Sequence, residues 1–187
     1  MTRITAEEAL RRLKDGNRRF VSGTPRTSFP RRPELADGQD PFAIVLGCAD
    51  SRVPVETVFD QGPGDLFVVR IAGHAILPAL LGSVEIAVAH LDAAVIVVLG
   101  HTNCAAVGAA LGAPEDFGAE GQSPADWLAS HIRPLVEGLS PEEAVVANVR
   151  GSIPPLRAAV PGIREKDLPI VGAVYDVSTR EVGFLED

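Results

Sequence analysis

Apolar positions along the chain change period in an orderly way. In the stretch that follows Thr5–Glu8 they recur at helical spacing, with Ala9, Leu10, Leu13, Phe20 and Val21 set among Arg and Lys. Thr5 to Glu8 has the Thr-x-x-Glu form of a capping box, and Gly23 marks the helix end. From residue 41 the pattern becomes short, continuous β-branched runs over 42–46, 66–71, 94–99 and 168–177. Strands buried on both faces have this character. Helical stretches separate them: a short one over 55–59 behind Pro54, one from Pro78 to about residue 91, and one over about 103–111. Further helices are expected around 127–139, 141–150 and 153–160, and Ser178-Thr179-Arg180 turns into a short edge strand over 181–185.

Strand and helix in alternation predict an α/β fold with a mainly parallel central β-sheet flanked by helices. Residues 22–40, rich in Pro, Arg, Gly and Asp, predict an extended arm, and 112–125 a Gly/Pro/acidic loop. At 187 residues the chain is expected to form a single domain over 1–187. A helix joined by so long an arm has little to pack on locally, so residues 1–40 are expected to lie across a partner subunit.

Charge and cysteine usage narrow the class. A formal net charge of -8 argues against nucleic acid and lends no support to an anionic membrane surface as partner. No run approaches the roughly 18–20 apolar residues needed to span a bilayer. The first residues lack an apolar stretch of signal-peptide type, so the cytoplasm is the expected location.

The chain has two cysteines, and each sits in a cluster with other ligand-type side chains. Cys48-Ala49-Asp50-Ser51-Arg52 closes the first strand; His101-Thr102-Asn103-Cys104 closes the third. Side chains two apart on extended backbone project the same way, so Cys48 and Asp50 can converge. His101 and Cys104 can converge if a helix begins between them. Sites in open α/β sheets lie beyond the carboxyl ends of strands, where both clusters fall. Two sulfurs, one nitrogen and one oxygen suit tetrahedral zinc. The start of a helix should also help Cys104 ionise. One such cysteine could equally be a small buried apolar residue; four ligand-type residues ending two strands favour a metal. A disulfide is the weaker reading in a reducing compartment. His90 fits a helix end and His131 a surface helix.

Cys48-x-Asp50-x-Arg52 followed by His101-x-x-Cys104 resembles the signature of the β-class carbonic anhydrases. Gly64-Asp65-Leu66-Phe67-Val68-Val69-Arg70, Gly82-Ser83-Val84-Glu85 and Val171-Gly172-Ala173-Val174-Tyr175-Asp176 extend the likeness. The resemblance implies zinc-dependent, reversible hydration of carbon dioxide to bicarbonate and a proton. Cys48, His101 and Cys104 would hold the zinc, leaving a fourth position for water whose pKa the metal lowers toward ~7. Asp50 and Arg52 would form the catalytic pair, Asp50 orienting the attacking hydroxide and Arg52 holding Asp50. In the family's closed arrangement Asp50 would itself be the fourth ligand. A homodimer, possibly paired into a tetramer, is expected.

The chain departs from the family pattern in places. His74 ends a run where many relatives have asparagine, and either a loop role or proton carriage follows from that. Ala105 replaces a usual glycine, Val45 replaces a regulatory tryptophan of some members, and the lone Trp127 lies elsewhere. Gln61 is similar to a pocket glutamine but one residue out of register. Two rivals share the residues: a hydrolase of carbon disulfide or carbonyl sulfide, and an inactive zinc-bound regulatory module. Retention of Asp50 with Arg52 counts against the module.

Overall fold

Three apolar runs lie side by side in the middle of one sheet: β1 (Ala43–Gly47), β3 (Val95–His101) and β4 (Ile170–Tyr175), all parallel. β2 (Leu66–Arg70) adds to β1 in parallel at one edge, and β5 (Val182–Phe184) pairs antiparallel with β4 at the other. The order is β2-β1-β3-β4-β5. Helices α1 (Ala6–Val21), α2 (Val55–Val58), α3 (Pro78–His90), α4 (Ala105–Leu111), α5 (Pro124–Val136), α6 (Pro141–Ala159) and α7 (Pro161–Glu165) complete the fold. The computed structural model describes residues 4–26, 28–112 and 123–186, so most of the expected loop over 112–125 lies outside the described residues. Among the described residues no helix is long and apolar enough to cross a membrane.

The continuous runs divide their side chains between two cores, as period-2 backbone requires. Val45, Val97 and Leu99 face α1 and α2, meeting Ala9, Leu13, Val55 and Phe59. Ile44, Leu46, Ile96 and Val98 face α3, α6 and α7, meeting Leu80, Val84, Leu156 and Ile163. A third cluster caps the carboxyl ends of β1 and β3, where Val107, Ala129, Ile132 and Val145 surround Cys48 and Cys104. The sheet thus ends against an apolar wall built by α4, α5 and α6.

Several boundaries differ from the sequence reading. β3 runs two residues past 99, so His101 is the last strand residue, paired with Tyr175, and α4 starts only at Ala105. Residues 141–159 form one helix where two were expected, although Pro154 and Pro155 lie inside it. Each interior proline costs about 3 kcal/mol; the helix nevertheless runs through both, with Val149, Ser152 and Leu156 buried along its inner face. A Ser140–Glu143 capping box sets that helix's start.

The N-terminal helix requires a correction. Thr5 Oγ accepts from Glu8 N at 3.1 Å, but Glu8 turns its carboxylate to Arg11 and Arg12, so half of the capping box forms. Far from lacking local packing, α1 buries Ala9, Leu13 and Gly16 on its own chain. Asn17 Nδ2 donates to Val58 O and Arg180 O, at 3.1 and 3.0 Å, while its Oδ1 accepts from Val182 N at 2.9 Å. Buried Asp60 accepts from Arg19 Nε at 2.5 Å and from the Arg26 amide at 3.0 Å, fixing where the arm departs. Beyond it the arm stays on the outside, with Phe29 37% exposed.

Gly16 sits directly on the Phe59 carbonyl, so a Cβ there would overlap backbone that cannot swing aside. Gly16→Ala is expected to destabilise the fold by about 1–3 kcal/mol, even though alanine is the better helix former. A lower urea midpoint at unchanged m-value is the expected result; an unchanged midpoint would mean that α1 is not seated this tightly.

Candidate metal centre

Cys48 is the first residue beyond β1, and the segment after it is held from the neighbouring strand. Arg70, the last residue of β2, donates from Nε to Cys48 O at 2.8 Å and from Nη2 to Asp50 O at 2.7 Å. A 3-10 turn over Ala72–His74 closes above it, and Gly73 N donates to Cys48 Sγ at 3.2 Å. Gly73 has φ 58°, and a Cβ there would lie 2.6 Å from Ile132 Cδ1. Only glycine meets both the left-handed backbone and the close approach.

His101 and Cys104 come from the end of β3 and the cap of α4. Thr102 N donates to Tyr175 O at 3.0 Å, and Thr102 Oγ accepts from Val177 N at 3.0 Å, which anchors the segment to β4. Asn103, with φ 55°, turns the chain so that Cys104 caps α4. Thr102 O lies 2.9 Å from His101 Nδ1. A carbonyl can only accept, so Nδ1 carries the proton and Nε2 presents its lone pair. That Nε2 is buried with no hydrogen-bond partner.

The three ligand atoms of Cys48, His101 and Cys104 lie within 4.8 Å of one another. Their residues are 4%, 1% and 7% exposed. The sulfurs are 3.9 Å apart, well beyond disulfide distance, and both cysteines are free. Two thiols and an unpaired imidazole nitrogen, converging in a dry pocket, fit zinc by ligand type. Burying such an orphaned nitrogen is unfavourable unless something occupies it. A carbonyl behind the imidazole is also the usual support of a metal-binding histidine.

The two thiols influence each other. The Cys48 thiol is pushed down chiefly by hydrogen bonding with Cys104, helped by His101 and the Asp50 and Gly73 amides against the cost of burial. Cys104 is pushed up by Cys48 beside it and by burial. The amides of Ala106 and Val107 do pull Cys104 downward, as a helix start should, but they lose to the neighbouring sulfur. With the sulfurs 3.9 Å apart, ionisation belongs to the pair: a first thiolate opposes the second, whichever sulfur carries it.

Asp50 lies beside this group rather than in it. Its Oδ1 accepts from Arg52 N and Nε, both at 2.9 Å, and its Oδ2 accepts from Arg52 Nη2 at 2.6 Å. Arg52 holds the Asp50 carboxyl well below the usual carboxylate range. The same Nη2 donates to Asn103 O at 3.0 Å, tying the two ligand segments together. Asp50 Oδ2 stands 3.9 Å from His101 Nε2.

The remaining sequence candidates separate clearly. His74 is fully buried, with φ 43°, and its Nε2 lies 3.1 Å from Asn148 Nδ2; burial pushes its pKa down to about 4. His90 and His131 are exposed, and His131 rests against Trp127 with ring centroids 4.3 Å apart. Gln61 is buried and donates to Phe59 O at 2.7 Å, pointing it toward α1. Ala105 is exposed at the first position of α4. Sequence reasoning assigned no role to Arg70, Gly73, Thr102 or Asn148. Arg70 and Thr102 stood in quoted motifs and Gly73 directly before His74, whereas Asn148 carried no signal, since its part depends on distant partners.

A family model described as "Carbonic anhydrase" matches residues 43–182. A Mycobacterium tuberculosis protein named "Carbonic anhydrase 2" is 49% identical over 136 residues, covering 71% of this chain and 62% of that protein. The chain thus spans less than two thirds of that relative's length. Among solved structures, a β-carbonic anhydrase of Aspergillus fumigatus superposes with TM-score 0.70 at 33% identity, over 82% of this chain and 79% of that one. One of two β-carbonic anhydrases of Sordaria macrospora described as tetrameric gives TM-score 0.67 at 27% identity, over 83% and 85%.

Burial of neutral His74 has a pH consequence. Its folded pKa of about 4 lies below the ordinary 6.5, so between these values the unfolded chain binds a proton that the folded chain does not. Stability from this source is complete above pH 6.5 and falls as pH drops toward 4, by roughly 3 kcal/mol in all. His74→Asn is expected to flatten that loss, because asparagine accepts left-handed backbone and does not titrate. Urea midpoints of both proteins at about pH 7.5 and about pH 4.5, in excess chelator, provide the check; parallel losses would contradict it.

Proposed function

Because the chain belongs to the β-carbonic anhydrase family, we propose that it catalyses the reversible hydration of carbon dioxide to bicarbonate and a proton. The observation that carries this reading is an ionised carboxylate, Asp50, clamped by Arg52 and standing 3.9 Å from the nitrogen of a three-residue ligand group. A purely structural zinc site takes four protein ligands, whereas here the fourth candidate is engaged with an arginine.

Cys48, His101 and Cys104 would hold the zinc. Bound there, the metal would supply a Lewis-acid centre with one position free for water, whose pKa it lowers toward ~7. Asp50, kept ionised by Arg52, accepts a hydrogen bond from the attacking water and aims its lone pair at the carbon. Arg52 does not touch the reacting atoms in this scheme; its two-point grip fixes the plane of the carboxylate. The grip also keeps Asp50 from turning onto the metal as a fourth ligand. The amides of Gly73 and Asp50, both within hydrogen-bond reach of Cys48 Sγ, stabilise the ligand's charge. The apolar wall around Val107 and Ile132 limits water on the inner side.

A homodimer or tetramer is the assembly we favour. The Sordaria macrospora relatives are described as tetrameric, and the arm leaves Phe29, Arg26 and Arg31 exposed on this chain. Packing of residues 24–40 on a partner subunit would cover them. Carbon dioxide and bicarbonate are then the small-molecule partners, and a surface with net charge -8 suits neither nucleic acid nor an anionic membrane. Free thiols 3.9 Å apart favour a reducing location such as the cytoplasm.

Stopped-flow carbon dioxide hydration by the wild type and by Asp50→Ala, with bound zinc quantified in each, tests the proposal. The wild type should be active, and Asp50→Ala should keep its zinc while losing about 10²-fold or more in rate. Hydrolysis of carbonyl sulfide or carbon disulfide without carbon dioxide hydration would sink the reading. Undiminished activity in Asp50→Ala would remove the role given to the carboxylate.

A further inference from the structure

The turn that supports Cys48 is itself gripped from behind. Asn148 lies in the middle of α6 and is fully buried. Its Nδ2 donates to Gly73 O at 3.0 Å and lies 3.1 Å from His74 Nε2. Both hydrogens of the carboxamide therefore enter one turn, since neutral His74 offers a lone pair there. At the other end of Gly73, its N–H donates to Cys48 Sγ at 3.2 Å. A short relay thus runs from the α6 amide, through one glycine residue, to a ligand sulfur.

Packing alone does not account for this amide. Its Oδ1 is buried without a hydrogen-bond partner, a cost that an apolar residue would avoid. Its donors go to two consecutive residues with left-handed backbone, Gly73 at φ 58° and His74 at φ 43°. Two consecutive left-handed residues, one of them not glycine, are uncommon. Ser152 Oγ donates to Asn148 O at 2.7 Å, bracing the same stretch of helix.

We propose that Asn148 is a positioning residue for the metal centre, fixing the Gly73–His74 turn so that the Gly73 amide meets Cys48 Sγ. The proposal rests on the zinc reading of Cys48, His101 and Cys104 but not on which substrate the protein hydrates. Removal of Asn148 lets the turn relax, weakens the amide-to-sulfur bond and loosens the geometry of one ligand in three.

The test uses the full chain carrying Asn148→Ala or Asn148→Ser, the second keeping a polar group too short to span to Gly73 O. Leu156→Ala, buried on the same helix in the core facing α7, serves as a destabilised control, with urea midpoints measured for all variants. Zinc affinity is read by competition with a chromophoric chelator, and thiolate coordination by the near-ultraviolet charge-transfer band of the cobalt(II) form. Both Asn148 variants should bind zinc about 10-fold or more weakly, the usual effect of losing a ligand's supporting contact. Their cobalt band should shift, while Leu156→Ala keeps wild-type affinity and band. Variants that lose stability yet keep both wild-type values would overturn the proposal. A wild type that binds neither metal would overturn the zinc reading and this one with it. Metal binding perturbed as expected, in a protein that hydrates no carbon dioxide, would uphold Asn148 and remove only the proposed activity.

Discussion

Parallel pairing of β1 with β3 sets Gly47 opposite Leu99, and so delivers Cys48 beside the last residues of the longer strand. Side chains alternate faces along a strand, so a slip of one residue would exchange the side chains β1 gives its two cores, setting Ile44 and Leu46 where Val45 packs. The two apolar cores therefore guard the position of the ligands. Val45 and Val97 on one face, and Ile44 and Ile96 on the other, lock the register by burial. The chemistry at the strand ends inherits precision from packing several residues away. Backbone anchors then finish the task locally, Arg70 on the first ligand segment and Thr102 on the second.

Electrostatic balance explains why so many charged groups can share so small a volume. Two thiolates would offset a bound divalent ion, and Asp50 is offset by Arg52, so no charge need stay uncompensated near the apolar wall. Arg52 reaches both ligand segments through Asp50 and Asn103 O, while Arg70 binds the backbone of the first. Each arginine can lean outward to solvent and still fix an inward-facing partner. In that arrangement the fork geometry of guanidinium matters as much as its charge.

The parts legible in the sequence were those set by local pattern. β-branched runs announced the parallel sheet, and ligand-type residues at two strand ends announced the centre. Misreadings arose where tertiary contacts outrank local rules. His101 remained in the strand because β4 extends to Tyr175 and pairs with it. Pro154 and Pro155 failed to end a helix whose flanks are buried. The seat of α1 depends on Gly16 and Asn17, which look like ordinary polar-face residues until Phe59 and Val182 are brought beside them. The coupling of the two thiols could not be read from a helix start alone, because it depends on a sulfur 56 positions away.

Asn17 has an effect on how this sheet meets other chains. Its side-chain oxygen accepts from Val182 N, which occupies a hydrogen-bonding position on the outer strand of the sheet. A foreign strand docking along β5 would have to displace the Asn17 side chain from Val182 N. Uncontrolled fibre growth needs two adhesive rims, one to receive and one to offer. By engaging that outward amide from α1, the fold blunts one rim of its sheet against strand addition.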